Sequence, residues 1–140
     1  MPKARTDLWG KDTNILTKNC CELFKEAGVQ TISWDDFIKV ELRVGCIVSA
    51  APFPEAKKPA YILQIDFGRD IGMKKSSAQI TDLYKPEELV GKLIVAVVNF
   101  PNKQIGPFIS ECLVTGFHHE SGEVALCVPD KPVLPGTKLL

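Results

Sequence analysis

Lys57, Lys58, Lys74, Lys75 and Lys103 are the cations of this 140-residue chain whose positions suggest a shared task, pairing with phosphates. A second set, Phe53, Phe100, Pro101, Ile105, Pro107 and Phe108, offers apolar contact that tolerates many partner sequences. Ser77, Gln79 and Gln104 could add hydrogen bonds to a peptide backbone, whatever its side chains. Covalent chemistry is poorly served. Ser110 has no histidine near it in the chain and no oxyanion-forming context. The adjacent His118 and His119 stand beside Glu120 in what reads as a surface turn, and would need distant partners to complete a metal site. Recognition rather than catalysis is therefore expected, with no cofactor and no metal.

The chain holds 17 basic and 17 acidic side chains, so no overall positive charge supports non-specific nucleic-acid binding. Residues 31–140 alone carry 12 basic and 13 acidic side chains. If Lys57, Lys58, Lys103 and one of Lys74 and Lys75 converge they would engage three or four phosphates, with a log affinity against log salt slope of magnitude about 3. Otherwise they form a solvated rim. Tyr61, Phe53 and Phe100 are the nearby aromatics, too few for a ladder that stacks bases. Glu111 either receives a lysine or peptide amine, or caps a strand end or pairs with Lys103 or Arg43.

Composition is that of an ordinary globular protein, 45% apolar and 24% charged, long enough for one core. No apolar run approaches the roughly 20 residues that cross a bilayer, and MPKARTDLWGKDTN has no apolar signal core, so a soluble cytoplasmic chain without membrane insertion is expected. The five cysteines lack CxxC spacing. Cys46, Cys112 and Cys127 sit in strand-like runs as buried thiols, while Cys20 and Cys21 are neighbours that point about 100° apart on a helix.

The positioning elements follow from periodicity. Leu16, Cys20, Leu23, Phe24 and Ala27 recur at helical spacing between Asn14 and the stop at Gly28, so residues 1–30 read as an extension carrying an amphipathic helix, and 31–140 as the domain. Ser33 is placed to cap a turn by accepting from the Asp36 amide. Val40, Leu42, Val44, Cys46, Val48 and Ala50 alternate as the core face of a first strand, which Gly45 would let bend. After the proline-stiffened loop 52–59, Tyr61, Leu63, Ile65 and Phe67 give the core face of a second strand. The third, 71–80, puts Met73, Lys75, Ser77 and Gln79 on one face and Lys74, Ser76 and Ala78 on the other, so only one of Lys74 and Lys75 can belong to a single binding surface unless a bulge intervenes. A short helix opens at Pro86 and stops at Gly91. A buried strand covers 93–98, a fifth strand 109–117, and a polar hairpin leads to a sixth over 123–128. The proline-rich end, PDKPVLPGTKLL, reads as a wrapping tail or an edge segment.

Three strands, a helix between strands 3 and 4, then two strands is the order of the all-β, five-stranded OB-fold Greek-key barrel. That fold binds on the face of strands 2 and 3, flanked by the loops here placed at 52–59 and 99–108. The motifs DFIKVELRVGCIVSA, FPEAKKPAYILQIDFG, IGMKKSSAQIT, YKPEELVGK, VVNFPNKQIGPFISECLVTG and VPDKPVLPGTK, in this order from Trp34 to Leu140, resemble the CsaA proteins, chaperone-like members of the tRNA-binding domain superfamily. The resemblance implies an OB-fold homodimer that binds extended peptides or unfolded chains, with a link to protein export. It also implies kinship with tRNA-binding appendages of some tRNA synthetases, so tRNA is the alternative partner. The expected groove is lined by the apolar set above, unless those phenylalanines plug the barrel mouth or form the dimer contact.

Overall fold

The computed structural model describes residues 29–140, so the helix expected over 14–27 and the Cys20–Cys21 pair lie outside the described residues. Ile38–Leu140 form one compact unit. The short helix α1 spans Trp34–Ile38, and as expected the Asp36 amide donates to Ser33 Oγ at 3.0 Å.

The unit is an antiparallel barrel. Its strands are β1 (Leu42–Pro52), β2 (Tyr61–Asp66), β3 (Met73–Ala78), β4 (Leu93–Val97) and β7 (Leu113–Val114), hydrogen-bonded in the order β3-β2-β1-β4-β7. Two ribbons are attached to it, β5 (Lys103–Ile105) with β6 (Phe108–Ser110), and β8 (Gly116–His118) with β9 (Val124–Leu126). Helix α2 (Pro86–Leu89) falls between β3 and β4 and drives Leu89 into the core, where it is fully buried. The barrel nearly closes where the chain before β7 returns to β3. There the Glu111 amide donates to the Lys75 carbonyl at 2.8 Å, and the Lys75 amide donates to Glu111 Oε1 at 3.0 Å. Strand order, the position of the helix and this closure make it the OB-fold.

Strand β2 follows its pattern, with Tyr61, Leu63, Ile65 and Phe67 all in the core. Strand β1 does not. Its register against β2 shifts between Ile47 and Ser49, a bulge that leaves Val48 unpaired and 42% exposed. Before the bulge the core face is Gly45 and the fully buried Ile47 rather than the even-numbered set, and after it Ala50 packs against the core as expected. Gly45 is needed for close approach, since a Cβ there would lie 2.5 Å from Ile65 Cγ2. Val44 is buried on the opposite face of β1, beside the C-terminal tail. The expected fifth strand is broken into β6, β7 and β8, each paired with a different partner. At Ser110 and Glu111 side chains take over from the backbone ladder: Ser76 Oγ donates to the Cys112 carbonyl at 2.9 Å, and the Ser77 amide to Ser110 Oγ at 3.4 Å.

Among the described cysteines Cys112 is buried while Cys46 and Cys127 are half-buried, and all three are free thiols. Burial pushes the Cys112 thiol up to about 11, against a smaller opposing pull from its hydrogen bond with Ser76. Cys112 is therefore expected to resist alkylation in the folded protein at pH 8, where its thiolate is scarce. Peptide mapping after timed iodoacetamide treatment should find Cys46 and Cys127 labelled first. Labelling of Cys112 at their rate would mean the β3–β7 closure opens readily.

Candidate functional site

The outer face of β2 and β3 follows from their register. Ile62 lies opposite Ser77, Gln64 opposite Lys75 and Asp66 opposite Met73, while the intervening pairs, Leu63 with Ser76 and Tyr61 with Ala78, point into the core. This gives the adjacent lysines opposite parities. Lys75 is on the outer face with Ser77, and Lys74 is on the core-side parity opposite Ile65, near the barrel's end.

Phe108 is where three segments meet. From the β1–β2 loop, the Phe53 ring lies 5.5 Å from that of Phe108, centroid to centroid. From β3, the Lys75 ammonium stands 5.3 Å over the Phe108 ring, within cation–π range. The hairpin itself turns over the same loop: a Cβ on Gly106, whose φ is 57°, would come 3.9 Å from the Glu55 carbonyl. The two loops therefore touch. Phe53 is only 4% exposed, so it braces Phe108 from beneath and is not an open wall.

The β5–β6 register sorts the remaining residues. Ile105 pairs with Phe108 and Lys103 with Ser110, placing these four on one face of the ribbon, while Gln104 pairs with Ile109 on the other. The side-chain amide of Gln104 donates to the Gly106 carbonyl at 2.7 Å, so it stiffens the turn on the face away from Phe108. Pro107 is exposed at that turn, and Pro101 is exposed before β5. Phe100 is 54% exposed. Its neighbour Asn99 fixes the start of the loop, accepting from the Glu41 amide at 3.0 Å and donating to the Lys39 carbonyl at 2.6 Å. Gln79 is exposed just past β3, and Ser77 is half-buried with its amide already on Ser110. Lys57 and Lys58 are exposed on the β1–β2 loop.

Glu111 serves the closure of the barrel, as its bond to the Lys75 amide shows, and makes no ion pair with Lys103 or Arg43. Arg43 instead pairs with Glu41 at 3.5 Å. Beside Glu111 lies an open, shallow depression of about 210 Å³ lined by Gln64, Met73, Lys74, Lys75 and Glu111. Sequence reasoning did not select Gln64 or Met73. Their signal was available, because both fall on the non-core parity of strands whose other face is apolar. The site as a whole thus has an apolar anchor at Phe108, a polar floor on β2 and β3, and cations on three segments. It offers apolar contact and positive charge on one surface. Among the described residues, no three of His, Cys, Asp and Glu gather as a metal site, and no helix is long and apolar enough to cross a membrane.

Comparison with known proteins agrees with this geometry. The family model described as a putative tRNA binding domain matches residues 42–138. The CsaA chaperone protein of Picrophilus torridus superposes with a TM-score of 0.74 at 53% identity, covering 79% of this chain and 100% of that one. Chaperone CsaA of Bacillus anthracis does so with a TM-score of 0.75 at 48% identity and the same coverage. Among curated relatives, the methionine–tRNA ligase of Parabacteroides distasonis is 33% identical over 112 residues, 79% of this chain but 16% of that protein. The chain spans less than a fifth of the length of the curated ligases it matches. With the motif order, the OB barrel and these matches in agreement, the chain belongs to the tRNA-binding domain family, as a member of the CsaA type.

Proposed function

We propose that this chain is a binding protein without a catalytic centre, which holds extended or unfolded polypeptides across the outer face of β2 and β3. It works as a homodimer in the cytoplasm, with a link to protein export, as the chaperone-like motifs imply. The observation that carries the polypeptide reading is the junction at Phe108, where an aromatic ring is braced by Phe53 and shared by all three flanking segments. A rigid ring over a polar strand floor suits a chain that alternates apolar side chains with backbone amides. The chaperone titles of the two CsaA relatives support the same reading.

The second reading is an accessory protein for tRNA. It is favoured by the family description and by Lys57, Lys58 and Lys103, exposed on two loops that touch each other. Against it stand the balance of charges and the burial of Phe53, which leaves Phe100 and Phe108 to stack on bases.

One sample titrated with an unfolded peptide and with tRNA across a salt series separates them. Peptide binding should change less than about twofold between 50 and 200 mM salt, whereas a tRNA contact of slope about 3 should weaken about 60-fold. Lys57→Ala with Lys58→Ala should lower the tRNA arm alone. A protein that neither suppresses aggregation of a denatured client nor retains tRNA at low salt would defeat both readings.

A further inference from the structure

The last residues of the chain carry a turn signal of their own. In Leu134-Pro135-Gly136-Thr137 the proline and glycine occupy the two central positions that a type II turn requires. Gly136 has φ 94°, and the Thr137 amide donates to the Leu134 carbonyl at 3.1 Å. The turn delivers the following residues, antiparallel, to β1. The Gly136 amide donates to the Val44 carbonyl at 2.7 Å, the Val44 amide to the Thr137 carbonyl at 2.9 Å, and the Leu139 amide to the Leu42 carbonyl at 2.9 Å. Lys138 sits opposite Arg43.

This edge of β1 exists because β2 leaves it. Strand β2 pairs with β1 only from Cys46 onward, and the chain turns away after Phe67. The other edge of Leu42–Cys46 is taken by β4. The tail fills the vacated half, pressed against the end of β2, where a Cβ on Gly136 would lie 2.5 Å from the Phe67 carbonyl and one on Gly68 2.7 Å from the Pro135 carbonyl. Side chains add charge: Arg43 Nη1 donates to the Gly136 carbonyl at 2.8 Å, and Lys138 Nζ lies 3.2 Å from Glu41 Oε2. The hydrogen bond from Lys138 holds the Glu41 carboxyl below its ordinary value.

Apolar burial contributes little. Val133, Leu134, Leu139 and Leu140 are all exposed, Leu134 by 79%. A segment fastened by backbone bonds and by the half-buried charges of Glu41 and Arg43, with its own apolar side chains exposed, is held less firmly than the strands of the core. Its mode of attachment is strand addition to a sheet edge, which is how extended peptides are commonly held.

We propose that the free half of the β1 edge, Leu42 to Val44 with Glu41 and Arg43, is a second peptide-binding site, occupied in this chain by its own displaceable C-terminal strap. Its ligand is an extended peptide of the Pro-Gly-Thr-Lys type. Glycine is required where the chain passes the Phe67 carbonyl with positive φ, and a lysine two residues later meets Glu41. The site is separate from the β2–β3 face and does not rest on the function proposed for that face. Tethering gives the strap a local concentration on the order of millimolar, so a free peptide displaces it from the intact chain only weakly.

The test uses the full chain carrying Gly136→Ala, whose strap cannot seat, and a fluorescein-labelled peptide of residues 131–140. Anisotropy should show saturable binding at least tenfold tighter to this variant than to the unmodified chain, and the same peptide carrying Gly136→Ala should bind neither. Equal binding to both proteins, or equal binding of both peptides, overturns the proposal. Should the variant fail to fold, hydrogen exchange on the unmodified chain decides. The Val44 and Leu139 amides should exchange at least 100-fold faster than those of Leu63 and Ile65. Protection of all four at one common rate would mean that the strap leaves only when the barrel unfolds, and the proposal fails.

Discussion

Gly45→Val is expected to destabilise the barrel by about 3 kcal/mol or more, lowering its melting temperature by roughly 15 °C. The cause is lack of space. A Cβ at this position would stand 2.5 Å from Ile65 Cγ2 and 2.7 Å from Phe67 Cε1, and both side chains are buried with nowhere to retreat. Gly45 is also paired with the fully buried Ile94, so β1 cannot move outward without breaking its ladder with β4. A loss of this size is a large part of the 5–15 kcal/mol that typically holds a domain together. Gly91→Ala provides the contrast. Nothing lies within 4 Å of a Cβ at Gly91, so only its φ of 88° resists substitution. That change should cost about 1 kcal/mol. Urea or thermal unfolding of the two variants checks both values. A Gly45→Val protein melting within a few degrees of its parent would show that the β1–β2 face yields far more than its packing suggests.

Gly45 also shows why part of the fold was legible in the sequence and part was not. Strand β2 could be read directly because its core face is apolar, its outer face is mixed, and nothing interrupts the alternation from Tyr61 to Phe67. Strand β1 offers apolar residues on both parities. Val44 is buried beside the C-terminal tail and Ile47 by the core, and the bulge at Val48 then shifts the pairing. No local pattern distinguishes these situations, since the tail that neighbours Val44 is more than 90 residues away. The broken fifth strand has a similar origin. From Ile109 to Phe117 it reads as continuous, yet Ser110 and Glu111 use side chains where the ladder would use backbone, freeing the chain to change partners. The turn at Pro135-Gly136 was visible as a tail signal, but its seat on β1 was not.

The site was legible as a list of residues and obscure as an arrangement. Period-two alternation gives Lys74 and Lys75 opposite parities, and the structure sets Lys75 against Phe108, yet both lysines line the depression beside Glu111, so alternation did not keep them off one surface. What alternation could not supply is contact between loops more than 50 residues apart. Phe53, in a proline-rich loop, reads either as a groove wall or as a plug, and the turn of the hairpin over that loop favours the second by burying it beneath Phe108. Gln104 is read from sequence as a hydrogen-bonding partner for a peptide backbone, but the ribbon register puts it on the face away from Phe108, with its side-chain amide on the Gly106 carbonyl.

Phe108→Ala is consequently the substitution expected to weaken polypeptide binding most, by roughly 30-fold, or about 2 kcal/mol, the scale of an aromatic anchor at the centre of an interface. Three effects combine. The ring itself is the half-buried apolar surface of the face, its loss uncovers Phe53, and the Lys75 ammonium loses the ring over which it stands. Phe100→Ala should have a smaller effect, because Phe100 is 54% exposed on a loop anchored through Asn99 and, among the described residues, no other aromatic ring is stacked against it. Phe108→Leu separates the contributions by keeping apolar bulk while removing the cation–π contact, and should recover most of the binding if bulk dominates. The tRNA arm responds differently. Release of Lys75 from the ring leaves its charge available to phosphate, so tRNA retention by Phe108→Ala should be unchanged or slightly raised. Calorimetric titration with an unfolded peptide, on a variant whose amide spectrum shows an intact barrel, measures the loss. Binding within twofold of the parent would remove Phe108 from the site and leave the lysines as its principal feature, which is the arrangement a tRNA-binding accessory protein would need.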